Sequence, residues 1–125
     1  MGERFDMSRP IYAQIVERLK AKILAGVYPP GGHLDSVRDM AAAAGVNPNT
    51  MQRALQELES RGLLQAQRTA GRTVTADDTA LQALRRRRTG MLAAEFLHQM
   101  QALGLTEAEI ETLLRETAQQ APKKE

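Results

Sequence analysis

Apolar side chains recur every fourth position near the start of the chain, at Ile11, Ile15, Leu19 and Ile23, and Gly26 interrupts the run. This period marks one face of an amphipathic helix, with Pro10 suited to its first turn and Gly26 to its end. The cluster Val27-Tyr28-Pro29-Pro30-Gly31-Gly32 cannot continue a helix. It hands the chain to His33-Leu34 in extended form, a short piece able to pair with later strands. Ser36-Val37-Arg38-Asp39 has the spacing in which the hydroxyl caps the third helical amide and the carboxylate reaches back. A short helix through Met40 to Ala44 follows, ended by Gly45, and Asn47-Pro48 restarts one at once as cap and first residue. Met51, Ala54, Leu55 and Leu58 place an apolar face on that next helix, which runs to Arg61 and is closed by Gly62.

The period then changes. Leu64-Gln65-Ala66-Gln67-Arg68 alternates apolar and polar residues, Thr69-Ala70-Gly71 turns, and Arg72-Thr73-Val74-Thr75 returns, which predicts a β-hairpin with a basic, polar tip. After Asp77-Asp78-Thr79, which can cap a helix, Leu81, Leu84, Leu92, Phe96, Met100 and Leu103 recur at helical spacing with one longer gap. This is the longest helix expected. Leu105 to Ile110 combines a capping box, Thr106 with Glu109, and a hydrophobic staple, Leu105 with Ile110, opening a last helix through Leu113 and Leu114. The expected class is mainly α. A winged helix-turn-helix over residues 9–76, three helices plus a small β-hairpin wing, is followed by a two-helix C-terminal dimerisation segment over 77–120 and a frayed tail at 121–125.

Composition narrows what this layout does. The chain has 125 residues, 42% hydrophobic and 26% charged, but only 3% aromatic and no Trp, so its core must be aliphatic. There is no cysteine, which excludes disulfides, thiolate metal sites and cysteine nucleophiles, and nothing ties the chain to an oxidising compartment. No secretory signal opens it, and no run approaches the roughly 18 apolar residues of a membrane span. A cytoplasmic location without membrane association is therefore expected. The net charge is only +2, but residues 1–75 carry ten Lys/Arg against seven Asp/Glu, whereas residues 76–125 carry seven against eight. The basic part is the one expected to face a polyanion.

Specific residues point further. Pro10-Ile11-Tyr12-Ala13-Gln14-Ile15, the turn from Gly26 to Leu34, Ser36-Val37-Arg38-Asp39-Met40-Ala41, Val46-Asn47-Pro48-Asn49-Thr50, Ala54-Leu55-Gln56-Glu57-Leu58-Glu59 and Gly62-Leu63 follow one another in order. Through them the chain resembles the GntR family of bacterial regulators over residues 9–76. Most of that family carry a large effector domain, whereas only the 49 residues 77–125 remain here. In this, and in Val46 to Thr50 and Arg68 to Arg72, the chain is similar to the short YtrA-type branch. Asp35 stands where the family usually has proline; it can help to cap the following helix, although a carboxylate near phosphate opposes binding.

The resemblance implies roles. Arg38 resembles a phosphate-contacting arginine, the alternative being a solvated surface residue. Asn47, Asn49, Thr50, Gln52 and Arg53 open the recognition helix expected in the major groove, where Gln52 and Arg53 stand out for base edges and Asn47 is explained equally by capping. Arg68, Thr69, Gly71 and Arg72 sit on the wing, either against backbone and minor groove or as a solvated basic turn. The run Arg85 to Arg88 cannot form one face, because consecutive helical residues point about 100° apart. A solvated or dimer-edge role is expected for it. Leu81, Leu84, Leu92, Phe96, Met100, Leu103, Ile110, Leu113 and Leu114 have too few neighbours in one chain and are expected at a homodimer interface. The alternative is that both last helices pack back on the winged domain.

His33 and His98 lack patterned partners, and there is no phosphate loop or metal-ligand spacing, so no enzyme activity, cofactor or metal is expected. The resemblance implies a dimeric repressor that occupies a pseudo-palindromic operator in double-stranded DNA, controlling a transporter-linked operon or its own. A small-molecule effector is left open. The competing class, a winged protein-interaction adaptor without DNA binding, is disfavoured by the basic hairpin.

Overall fold

In the computed structural model, which describes residues 4–68 and 71–121, the first apolar stripe becomes helix α1, Ile11–Leu24. Its Ile15, Val16, Leu19 and Ile23 are buried. Pro10 stands just outside, as the cap residue rather than in the first turn. Gln14, also buried, was not legible as structural. Its side-chain oxygen accepts from the Asp6 N–H at 2.8 Å, and its Nε2 donates to the Asp6 and Arg9 carbonyls at 2.6 and 3.2 Å. These bonds satisfy the amide and fasten the segment preceding α1.

Helix α2, Val37–Ala44, starts where Ser36 Oγ accepts from the Asp39 N–H at 3.1 Å, and Gly45, at φ +72°, ends it. Only this half of the expected capping box forms. The Val46 N–H then closes on the Ala41 carbonyl at 3.0 Å. Helix α3, Pro48–Ser60, begins with Pro48 at its first turn and Asn47 as cap. Strands β1, Leu64–Gln67, and β2, Gly71–Val74, pair antiparallel with Leu64 opposite Val74 and Gln67 opposite Gly71. The expected extended piece takes the other edge of β2. Gly31 N–H donates to the Val74 carbonyl, Val74 N–H to the Gly32 carbonyl and Leu34 N–H to the Arg72 carbonyl, each at 2.9 Å.

Helix α4, Asp78–Ala102, is capped by the Asp77 carboxylate, which accepts from the Thr79 N–H at 3.0 Å. Its first two turns correct the expected interface. Leu81 and Leu84, both 8% exposed, belong to the aliphatic core formed by α1, α2, α3 and the hairpin of their own chain. The long gap after Leu84 is where the helix leaves that core. The chain divides accordingly into two compact units, Met1–Arg85 and Arg86–Glu125, so the first extends beyond residue 76.

The second unit holds the rest of α4 and helix α5, Glu107–Gln120, joined through Gly104 at φ +88°. Here the full capping box forms: Thr106 N–H donates to Glu109 Oε1 at 2.9 Å and Glu109 N–H to Thr106 Oγ1 at 3.2 Å. Ile110, expected at the dimer interface, is already buried at 3% exposure within the single chain. Leu92, Leu103, Leu113 and Leu114 are exposed, as are Met91 and Leu97, which had not been singled out, while Phe96 and Met100 are half-buried. Of the expected frayed tail, residues 122–125 lie outside the described residues.

Candidate nucleic-acid interface

Burial of Met51, Ala54, Leu55 and Leu58 decides what α3 presents outward. At about 100° per residue, the positions opposite that core face are Asn49, Arg53 and Gln56, all exposed, with half-buried Gln52 on one flank and half-buried Thr50 on the other. Asn47 is committed to the helix start, its Oδ1 accepting from the Asn49 N–H at 2.7 Å, which leaves its NH2 group for any other contact. Arg38, at the second position of α2, is exposed and joins no ion pair among the described residues.

Arg53 has a partner that the sequence did not announce. Its guanidinium carbon lies 3.7 Å from the centroid of the Tyr12 ring in the first turn of α1. An open groove of about 450 Å³ runs beside the pair, lined by Pro10, Ile11, Tyr12, Asn49, Thr50 and Arg53. Tyr12 is one of only four aromatic residues in the chain, and that scarcity, beside Pro10 at a helix start, was the available signal.

On the wing, Arg68 is exposed in the turn after β1, and Gly71 takes φ +74°, a left-handed conformation that an L side chain resists. Thr69 lies outside the described residues. Arg72 is not a free wing cation: its Nε pairs with the Glu59 carboxylate of α3, and it is half-buried. The Gln67 amide, projecting from β1, donates to Thr73 Oγ1 at 3.1 Å. The sequence-predicted residues therefore fall into three places. Asn49, Thr50, Gln52 and Arg53 share the N-terminal part of α3, Arg38 stands on α2, and Arg68 and Gly71 stand at the hairpin end.

Elsewhere, His33 and His98 are both exposed, and no group of three His, Asp or Glu among the described residues is arranged to hold a metal ion. No helix among them is long and apolar enough to cross a membrane. Two carboxyls are held below the usual range. Asp6 is lowered by the side chain and then the backbone of Ser8, and Glu109 by the backbone and then the side chain of Thr106.

A family model described as bacterial regulatory proteins, gntR family, matches residues 11–74. The chain is 34% identical over 110 residues to the HTH-type transcriptional regulator YhcF of Bacillus subtilis, covering 88% of this chain and 91% of that protein. It is 42% identical over 64 residues to the HTH-type transcriptional repressor YtrA of the same organism, covering 51% of this chain and 49% of YtrA. Among solved structures, a GntR family transcriptional regulator from Listeria monocytogenes superposes with a TM-score of 0.80 at 35% identity, over 90% of this chain and 98% of that one. The DNA-binding domain of AraR, solved in complex with operator ORX1, aligns over 60% of this chain and 90% of its own length, with a TM-score of 0.52 at 27% identity. The winged arrangement, the outward face of α3 and these likenesses together make the chain a member of the GntR family, a DNA-binding transcriptional regulator of the short YtrA-like type.

Proposed function

We propose that the chain is a cytoplasmic, homodimeric repressor that occupies a pseudo-palindromic operator, with the start of α3 in the major groove and the β1–β2 wing on adjacent backbone or minor groove. The observation that carries this is the outward face of α3, where Asn49, Arg53 and Gln56 stand exposed beside Gln52, while Glu57 on the other flank is engaged by Arg61 at 2.8 Å. Arg and Gln are the residue types that read guanine and adenine edges with paired hydrogen bonds, while Arg38 and Arg68 suit phosphate. The operator complex of AraR's DNA-binding domain and the repressor designation of YtrA support the reading.

The exposed Leu92, Leu97, Leu103, Leu113 and Leu114 supply the apolar surface for pairing two chains, and a twofold dimer matches a palindromic site. In this scheme the paired helices set the half-site separation, and an effector or partner that altered their pairing would shift affinity. Control of a transporter-linked operon or of its own gene belongs to the same reading.

The test is a fluorescence titration of the full chain against DNA upstream of its gene at several salt concentrations, with sedimentation to count chains per duplex. The expected result is a steep fall in affinity with salt and two chains per site. Salt-insensitive or absent binding to every upstream segment rejects the operator reading, and one chain per site rejects the dimer.

A further inference from the structure

Arg53 is exposed on the outward face of α3, yet its guanidinium is not loose, because it lies against the Tyr12 ring at 3.7 Å. Tyr12 is half-buried and packs against the aliphatic core, so the ring is a fixed platform rather than a mobile one. None of the ion pairs among the described residues involves Arg53. The groove beside it is otherwise lined by Pro10, Ile11, Asn49 and Thr50, all uncharged, and Glu57, one turn further along α3, is paired with Arg61 at 2.8 Å rather than with Arg53.

A stacked guanidinium gives its flat face to the ring and keeps its N–H donors in the perpendicular plane. Stacking and edge-on recognition of a base or phosphate are therefore compatible. An unsupported arginine must lose its rotamer freedom when it binds, and that loss subtracts from affinity; one already ordered by a platform loses less.

We propose that Tyr12 is a positioning residue for DNA recognition: its ring holds the Arg53 guanidinium so that the donor edge meets DNA already oriented. This rests on the reading of Arg53 as a DNA contact. Tyr12 needs no bond of its own to the DNA. An exposed cation–π contact converts to about two- to five-fold in affinity, and that is the size of effect expected.

The experiment uses the full chain and, as probe, the duplex that the unmodified chain recovers from a pool of random-sequence DNA, together with its single-base-pair variants. Arg53→Ala, Tyr12→Leu, Tyr12→Phe and the Tyr12→Leu/Arg53→Ala double variant are titrated by anisotropy, with thermal unfolding followed for each. Positioning requires that Tyr12→Leu lose about two- to five-fold, that Tyr12→Phe recover it, and that Tyr12→Leu add nothing once Arg53 is gone. Additive losses would mean that Tyr12 acts alone and overturn the proposal while Arg53 keeps its role. No loss in Arg53→Ala overturns the underlying reading and the proposal with it. Should Tyr12→Leu fail to fold, Tyr12→Met, which fills the site with a flexible side chain that has no π face, takes its place in the cycle. Full affinity in folded Tyr12→Met rejects the positioning role; a loss of about two- to five-fold that vanishes in the Arg53→Ala background supports it.

Discussion

Arg72 of β2 and Glu59 of α3 form an ion pair whose side chains are only 16% and 28% exposed, and the pair ties the wing to the recognition helix. Partial burial makes it worth more than a surface pair, because removing one partner leaves the other charge poorly solvated. Arg72→Ala and Glu59→Ala should each lower unfolding free energy by about 1–2 kcal/mol, between the surface and buried cases. The double variant should lose less than the sum of the singles, measured as urea midpoints at constant slope. DNA binding adds a sign test. Removing a carboxylate near a polyanion by itself favours binding, so weaker binding by Glu59→Ala would show that its hold on the wing outweighs its charge.

Phosphate and base contacts separate by their response to sequence. Arg38→Ala should weaken binding to all duplexes about equally and reduce the salt slope by about 1, since a single phosphate contact is lost. Gln52→Ala should instead cost about 1–3 kcal/mol only on duplexes carrying the base pair it reads. Titrations on the selected duplex and a scrambled one, each at several salt concentrations, check both. Uniform weakening by Gln52→Ala would remove it from the base-reading set.

Much of this architecture was legible in the sequence because each element carries its own local signal. Ser36, Gly45 and Asn47-Pro48 mark helix ends by chemistry confined to a few neighbouring residues, and the structure places α2 and α3 between them. Leu81 and Leu84 were misassigned for the opposite reason. Periodicity shows that a face is apolar but not what covers it, and the first turns of α4 are covered by their own chain. The pairs Tyr12 with Arg53 and Glu59 with Arg72 join residues far apart in sequence, so neither could be read before the helices and hairpin were placed. Ser36 shows a subtler limit: Asp39 has the right spacing for a full capping box, yet only Glu109 in the equivalent place at α5 completes one. The extra methylene of Glu gives the reach that Asp lacks.

The two classes of α4 leucine should behave differently. Leu84→Ala removes a buried side chain and should cost about 2–5 kcal/mol, visible as a lower unfolding midpoint of the winged unit. Leu103→Glu, at a position 75% exposed, should leave folding of the single chain within about 0.5 kcal/mol of the original and instead weaken self-association in sedimentation. Unchanged self-association after combining Leu103→Glu with Leu92→Glu would mean that these exposed leucines are not the pairing surface.

The capping box at α5 makes that helix start sensitive to acid. Glu109 is lowered from its ordinary value near 4.5, chiefly by the Thr106 backbone N–H and then by the Thr106 side chain, so the folded form favours the carboxylate more than the unfolded chain does. A depressed folded value means that the stabilisation is fully present above pH 4.5 and is lost as pH falls below 4.5 and through the lower folded value. Protonation removes the charge that both accepts from the Thr106 N–H and complements the positive end of the helix. Amide exchange at the first turn of α5 should therefore quicken on acidification relative to the first turn of α3, whose cap, Asn47, does not titrate. Glu109→Gln keeps an acceptor without the titrating proton, so it should flatten that dependence. An acid-sensitive first turn that persists in Glu109→Gln would assign the effect to another group.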